Sequence, residues 1–183
     1  MRALVFLSAL LGLSYSVISN RNSRRPCYYG WTQFEQDCYK PYRMRARFME
    51  AENKCKEVGG HLTSIHSPEE NDFLRGLTST GHVQENRWDN NVWIGFFYEK
   101  QSETWKWLDG SPTDYTNWAT KEPNFMDYDS EYQASMMPDP SFDEKDHPGN
   151  WYNPDGGQWN NLHDMPLRGF ICKQKKSSTH ISF

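Results

Sequence analysis

The chain reads as α+β, because two helical patterns stand early and a series of short strand patterns separated by turns follows them. Between Arg43 and Val58 the apolar positions Met44, Phe48, Ala51 and Cys55 recur near the helical period of about 3.6 residues. Beyond residue 91 the pattern changes to apolar runs such as Val92-Trp93-Ile94-Gly95-Phe96-Phe97, of the kind a strand covered on both faces needs.

Each element follows from its own residues. Residues 17–26 are polar and basic with no period, which predicts a mobile lead-in. The aromatic runs Tyr28-Tyr29-Gly30-Trp31 and Cys38-Tyr39-Lys40 predict a strand pair between Cys27 and Tyr42. The first helix is expected over Arg43 to Val58, stopped by Gly59-Gly60. A second starts with Ser67 as N-cap, Pro68 at the first helical position and Glu69 and Glu70 in the first turn, and should bury Phe73, Leu74 and Leu77. After a polar stretch from Thr78 to Asn91 comes the Val92 run. Thr104-Trp105-Lys106-Trp107-Leu108 then alternates before an Asp109-Gly110 turn. Gln158-Trp159-Asn160-Asn161 and Arg168-Gly169-Phe170-Ile171-Cys172 predict two closing strands, and residues 174–183 read as a polar tail.

Length and composition limit the class. One domain's worth of sequence, 183 residues with net charge -4, carries only 31 Leu, Ile, Val and Phe, but its 28 Trp, Tyr and Phe offer large apolar surfaces from rings. No short period or biased tract recurs, which excludes collagen, coiled coil and low-complexity chains. Met1 and Arg2 precede an apolar run from Ala3 to Leu13, and Ser14 and Ser16 supply the small residues a signal peptidase reads. Residues 1–16 are therefore expected to be a secretory signal, too short for a spanning helix of about 20 residues. A secreted, extracellular chain follows. Cys27, Cys38, Cys55 and Cys172 are even in number in that oxidising setting, so two disulfides are expected, in any of three connectivities. One of these, Cys27 with Cys38 and Cys55 with Cys172, would close a local hairpin and bind the two ends of the domain. By the chain-entropy argument the longer loop is worth about 4–5 kcal/mol.

The stretch from Phe125 to Pro148 differs in kind. It holds Asp127, Asp129, Glu131, Asp139, Asp143, Glu144 and Asp146 against Lys145 alone, an acidity that exceeds the net charge of the whole chain. With three prolines and no period, 125–148 is expected to be a solvated, partly ordered acidic loop insertion.

Several motifs in one order carry a resemblance. Cys27, Cys38 and Cys55, then Trp93-Ile94-Gly95, Tyr115-Thr116-Asn117-Trp118, Glu122-Pro123-Asn124, Trp159-Asn160-Asn161 and Phe170-Ile171-Cys172, together resemble a long-form C-type lectin domain over residues 27–173. The resemblance implies that Cys27 pairs with Cys38 and Cys55 with Cys172. It also implies a cis proline at Glu122-Pro123, which turns the neighbouring side-chain oxygens to one side of a loop. A Ca2+ ion held there by Glu122, Asn124, Asn160 and Asn161 keeps coordination positions open for two vicinal sugar hydroxyls. Each hydroxyl gives its proton to a carboxylate such as Glu122 and accepts from an amide such as Asn124 or Asn160. The Glu-before-Asn order implies mannose-type sugars.

The sequence also departs from the family pattern. Asn161 stands where a metal-binding Asp is usual, which lowers ligand charge and with it calcium affinity. The family's upstream acid aligns near Pro148, with Asp143, Glu144 or Asp146 as replacements, and Asn150 and Asp164 occupy the places of an absent second disulfide. Tyr98 and Ser102 stand near auxiliary calcium positions, so at most one calcium site is expected. Trp93, Trp105, Trp107 and Trp118 are expected in the core, while Trp151 and Tyr152 lie in sequence beside the sugar motif.

The leading function is a secreted, Ca2+-dependent lectin for mannose-type glycans or glycoproteins in innate defence. The alternative is a calcium-independent domain of the same fold that binds a protein or surface ligand. No nucleophile with its base, HExxH helix or acid/base pair points to an enzyme, and nothing points to nucleic acid or a membrane span. No collagenous or heptad segment fixes an oligomeric state.

Overall fold

The structure is a computed structural model that describes residues 27–82, 90–124, 132–140 and 156–176. The signal segment 1–16, the lead-in 17–26 and residues 177–183 of the tail lie outside the described residues.

The first hairpin joins β1 (Thr32–Phe34) to β2 (Asp37–Tyr42), with Phe34 opposite Asp37. Its strands lie later than the first aromatic run suggests, and Tyr28 and Tyr29 are exposed. Helix α1 (Phe48–Glu57) starts at Phe48 and not at Arg43. The reason lies outside the helix: Ala46 is held in an isolated bridge to Leu167, with backbone bonds of 3.2 and 3.1 Å, and that extended conformation prevents an earlier start. Met44 is consequently exposed, while Phe48, Ala51 and Cys55 are buried as the period requires.

After the short β3 (His61–Leu62), α2 (Pro68–Thr78) begins as its capping residues predict, with Ser67 Oγ accepting from the Glu70 N–H at 3.1 Å. Leu74 is fully buried, whereas Phe73 and Leu77 are only partly covered. The strands β4 (Val92–Glu99) and β5 (Thr104–Trp107) form a hairpin, β6 (Gln133–Met137) and β7 (Gln158–Leu162) a second antiparallel pair, and β8 (Gly169–Lys175) closes the chain. They make one mixed sheet in the order β1-β2-β8-β4-β6-β7, with β3 on β8 and β5 on β4. Only the contact between β4 and β8 is parallel among these pairs.

Alternation along β4 explains why both of its faces are covered. Val92, Ile94 and Phe96 enter one core cluster with Leu74 of α2, and Trp93 enters the other with Phe48, Ala51 and Cys55 of α1. Gly95 is required where β3 meets β4, since a Cβ there would stand 2.5 Å from the Leu62 carbonyl oxygen. Rings supply the bulk that aliphatics lack. Phe96 lies 4.3 Å from Trp107, 5.8 Å from Trp159 and 5.9 Å from Trp118 by centroid. Trp93 and Trp107 are buried as expected, but Trp105 and Trp118 are partly exposed at the margin.

The disulfides pair Cys27 with Cys38 and Cys55 with Cys172. The stretch 125–148 is not the continuous loop that its composition suggests. It contains β6, which sits between β4 and β7 and buries Ala134, Ser135, Met136 and Met137. Gln-Ala-Ser-Met-Met lacks β-branched and aromatic residues, so the strand comes from its two neighbours and not from propensity. Nor does Asp139 belong to a solvated acidic surface. Fully buried, it accepts from the Thr80 N–H at 2.6 Å, the Gly81 N–H at 3.0 Å and Ser79 Oγ at 2.5 Å, and it pairs with Arg168 at 3.2 Å. Asp143, Glu144, Asp146, Pro148, Asn150, Trp151 and Tyr152 lie outside the described residues.

Candidate functional site

The site is built along the outer side of β7. Residues 117–119 run parallel to that strand: the Trp159 N–H donates to the Asn117 carbonyl at 2.7 Å, and the Ala119 N–H donates to the Trp159 carbonyl at 2.8 Å. Two amides fix the start of β7 from either side. Asn71 Nδ2 on α2 and Asn117 Nδ2 both donate to the Gly157 carbonyl, at 3.1 and 2.9 Å, and Trp159 Nε1 donates to Asn71 Oδ1 at 2.8 Å. Gly157 itself has φ +86, and a Cβ there would come within 3.1 Å of the Arg75 side chain. Sequence reasoning missed Asn71 and Asn117 as supports. The signal for Asn71 was present, since it falls three residues before Leu74 on the buried face of α2.

The chain then turns toward the strand. Lys121 takes φ 68, the Glu122 N–H closes a turn onto the Ala119 carbonyl at 3.0 Å, and the Glu122-Pro123 peptide is cis. This brings the Asn124 N–H to Asn161 Oδ1 at 3.1 Å, while Asn124 Nδ2 donates to Glu122 Oε1 at 2.8 Å. Three of the four expected residues, Glu122, Asn124 and Asn161, therefore form one hydrogen-bonded group. Asn160 is the neighbouring residue on β7 and does not join it among the described residues. Its side chain is fully buried, and neither Oδ1 nor Nδ2 has a hydrogen-bond partner. Its backbone is held firmly: Ser135 Oγ lies 3.3 Å from the Asn160 carbonyl and accepts from Asn91 Nδ2 at 3.0 Å.

These residues offer hard oxygens of the type Ca2+ takes, one carboxylate and three amides. An amide oxygen has two lone pairs, so Asn161 Oδ1 can accept from Asn124 and still face a cation. Among the described residues no three or more His, Cys, Asp or Glu side chains gather into a metal cluster. His61 instead meets Glu52 at 2.7 Å and His66 meets Asp114 at 2.7 Å, which accounts for both rings without a metal. The hydrogen bond from His66 holds the Asp114 carboxyl below the usual carboxylate range, against the opposing effect of burial.

In the β6–β7 register Gln133 stands opposite Leu162, two residues before Asp164, while Asn150 and Pro148 lie outside the described residues. Asp164 has other work: its Oδ1 accepts from the Phe48 N–H at 2.9 Å and satisfies a donor at the start of α1.

Residues 45–174 match the family model described as the lectin C-type domain. The chain is 31% identical over 173 residues to C-type lectin lectoxin-Lio2 of Erythrolamprus poecilogyrus, with 93% of each chain covered. Among solved structures it is similar to the cow C-type carbohydrate-recognition domain of CD23, obtained in the presence of GlcNAc2Man3 oligosaccharide, with 27% identity, a TM-score of 0.63 and coverage of 82% of this chain and 97% of that one. It is equally similar to a calcium-independent type II antifreeze protein, at 28% identity and a TM-score of 0.63, with 82% and 95% of the two chains covered.

Proposed function

The chain belongs to the C-type lectin domain family, and from that premise we propose that it is a secreted, non-enzymatic lectin that binds mannose-type glycans with the help of one Ca2+ ion. The observation that supports this reading most is the buried, unpartnered amide of Asn160 next to the hydrogen-bonded group of Glu122, Asn124 and Asn161. A buried polar group without a partner is costly, and a cation ligated by Oδ1 would offset that cost.

Glu122, Asn124, Asn160 and Asn161 would hold the ion, and Ca2+ supplies open coordination positions for two vicinal hydroxyl oxygens. The rest falls to the chain. The Glu122 carboxylate takes the proton of one hydroxyl as a hydrogen-bond acceptor, and the amide NH2 groups of Asn124 and Asn160 donate to hydroxyl oxygens. Backbone bonds at Asn117, Trp159 and Ala119 hold both motifs in place before ligand arrives. With one carboxylate among four side chains, calcium affinity is expected to be low. Innate defence is the setting such an activity would serve.

A second reading has support from the same donor set. Three neutral amides are a weak cation site, and a structure of similar fold is described as calcium-independent. The chain would then bind a protein or surface ligand without metal. Binding to immobilised mannose polymer, titrated with calcium and with chelator, separates the two. The lectin reading expects chelator-sensitive binding that the Glu122→Gln/Asn124→Asp double variant loses. Chelator-insensitive binding, or none at millimolar calcium, would overturn it.

A further inference from the structure

A second site lies where the end of β2, the C-terminal end of α2 and the start of β8 converge. A cavity of about 220 Å³ opens there, and none of its lining residues belongs to the glycan site. Its walls are mainly apolar, from Tyr42, Leu77 and Val92, yet two guanidinium residues, Arg43 and Arg168, also line it.

Arg168 is only partly satisfied. Its Nη2 donates to the Thr78 carbonyl at 2.8 Å and to Asp139 Oδ2 at 3.2 Å. Its Nε is buried and has no hydrogen-bond partner. Arg43 is exposed. Burial chiefly, together with the positive charge of Arg43, depresses the basicity of Arg168 against the opposing pull of Asp139. Among the described residues, Arg168 is paired with one carboxylate, Asp139, and Arg43 adds a second guanidinium to the wall of the apolar cavity, so positive charge there is in excess.

We propose that this cavity binds a small monocarboxylate with an apolar tail. The tail packs on Tyr42, Leu77 and Val92, and the carboxylate pairs with the Arg43 guanidinium at the rim, beside the positive charge of Arg168. Guanidinium and carboxylate match in charge and in planar geometry. The volume lies below the roughly 300–1,000 Å³ of pockets for drug-sized ligands, so short tails are admitted and long-chain lipids are not. The apolar walls disfavour phosphate or sulfate, which would be left half desolvated.

Isothermal titration of the full secreted chain tests this with hexanoate, hexanol, acetate and N-acetyl-leucine. Hexanoate should bind one to one, about tenfold more tightly than hexanol or acetate. Exposed Arg43 can be changed without disturbing the fold, and Arg43→Gln should weaken hexanoate about fivefold while hexanol binding and the melting temperature of the unliganded protein stay constant. Stronger binding of N-acetyl-leucine than of hexanoate identifies a peptide C-terminus as the source of the carboxylate, and the reverse order identifies a free acid. Amide shifts on hexanoate addition should centre on Thr78, Thr80, Arg168 and Gly169. Equal affinity for hexanoate and hexanol, an undiminished Arg43→Gln variant, or no binding at millimolar hexanoate would each overturn the proposal.

Discussion

The backbone N–H of Asn124 donates to the side-chain oxygen of Asn161 at 3.1 Å and so ties the Glu-Pro-Asn turn to β7 across 37 positions of sequence. The side chain at 161 is therefore a junction as well as a potential ligand. Asn161→Asp keeps the acceptor and adds a negative charge to a set that holds one carboxylate. Calcium affinity should rise about tenfold, equivalent to about 1.4 kcal/mol. The melting temperature should become more sensitive to added Ca2+, because an ion that binds only the native state stabilises it. Calorimetric titration of both proteins with CaCl2 gives the comparison, and an unchanged affinity would remove residue 161 from the ligand set.

Much of the fold was legible in the sequence, for a physical reason. Ser67, Pro68 and the Val92 run act locally, and local signals survive without knowledge of tertiary contacts. The start of α1 and the existence of β6 do not. Ala46 is extended because Leu167 pairs with it, and Gln133 to Met137 is a strand because β4 and β7 flank it. Both causes lie far away in the chain. Asp139 shows the same limit: its charge looked like part of an acidic tract, whereas its backbone donors and Arg168 make it an internal junction. Composition cannot distinguish a solvated acid from a buried one.

Asp139 yields a pH prediction. Burial pushes its carboxyl upward, but hydrogen bonds from Ser79, Thr80 and Gly81 together outweigh burial and hold it below the usual carboxylate range. A depressed native pKa stabilises the fold above the unfolded value of about 3.9, and that contribution is lost as pH falls through the lower native value. Asp139→Asn should cost about 3–5 kcal/mol at neutral pH, since it leaves Arg168 without its counter-charge. Its stability should also fall less steeply than the parent's between about pH 5 and pH 2. Urea unfolding at a series of pH values measures both, and parallel curves would show that Asp139 carries no linked proton.

The two disulfides should differ in their worth. Cys55–Cys172 closes a separation of 117 residues and Cys27–Cys38 one of 11. By chain entropy these are worth about 5 and about 3 kcal/mol. Cys55→Ala/Cys172→Ala should therefore lower unfolding free energy about 2 kcal/mol further than Cys27→Ala/Cys38→Ala. The difference is enlarged because Cys55 and Cys172 are fully buried in the α1 cluster, so their truncation also removes packing. Equal losses in denaturant titration would show that loop length does not govern these bonds.

A buried charge group joins α2 to the neighbouring strands β2 and β8. Lys173 Nζ on β8 donates to Glu70 Oε1 on α2 at 2.7 Å, each side chain being 6% exposed, and to the Ser64 carbonyl at 3.2 Å. Tyr39 Oη of β2 donates to the same Glu70 oxygen at 2.5 Å, and the His66 N–H donates to Oε2 at 2.7 Å. Burial first, and then the Glu70 hydrogen bond and charge, push the Tyr39 hydroxyl far above its ordinary pKa, so it remains a donor throughout the neutral range. Lys173→Met removes the cation and leaves the Glu70 carboxylate buried with neutral donors only. The loss should reach about 3–5 kcal/mol, more than the methyl-terminated side chain regains by packing. Adding Glu70→Gln removes the stranded charge and keeps one acceptor oxygen, for Tyr39 Oη, at the cost of the hydrogen bond from the His66 N–H. The double variant should therefore recover at least half of the single variant's loss. Urea titrations of the parent, both single variants and the double variant complete the cycle. A double variant as unstable as the sum of the singles would show that the pair is not coupled.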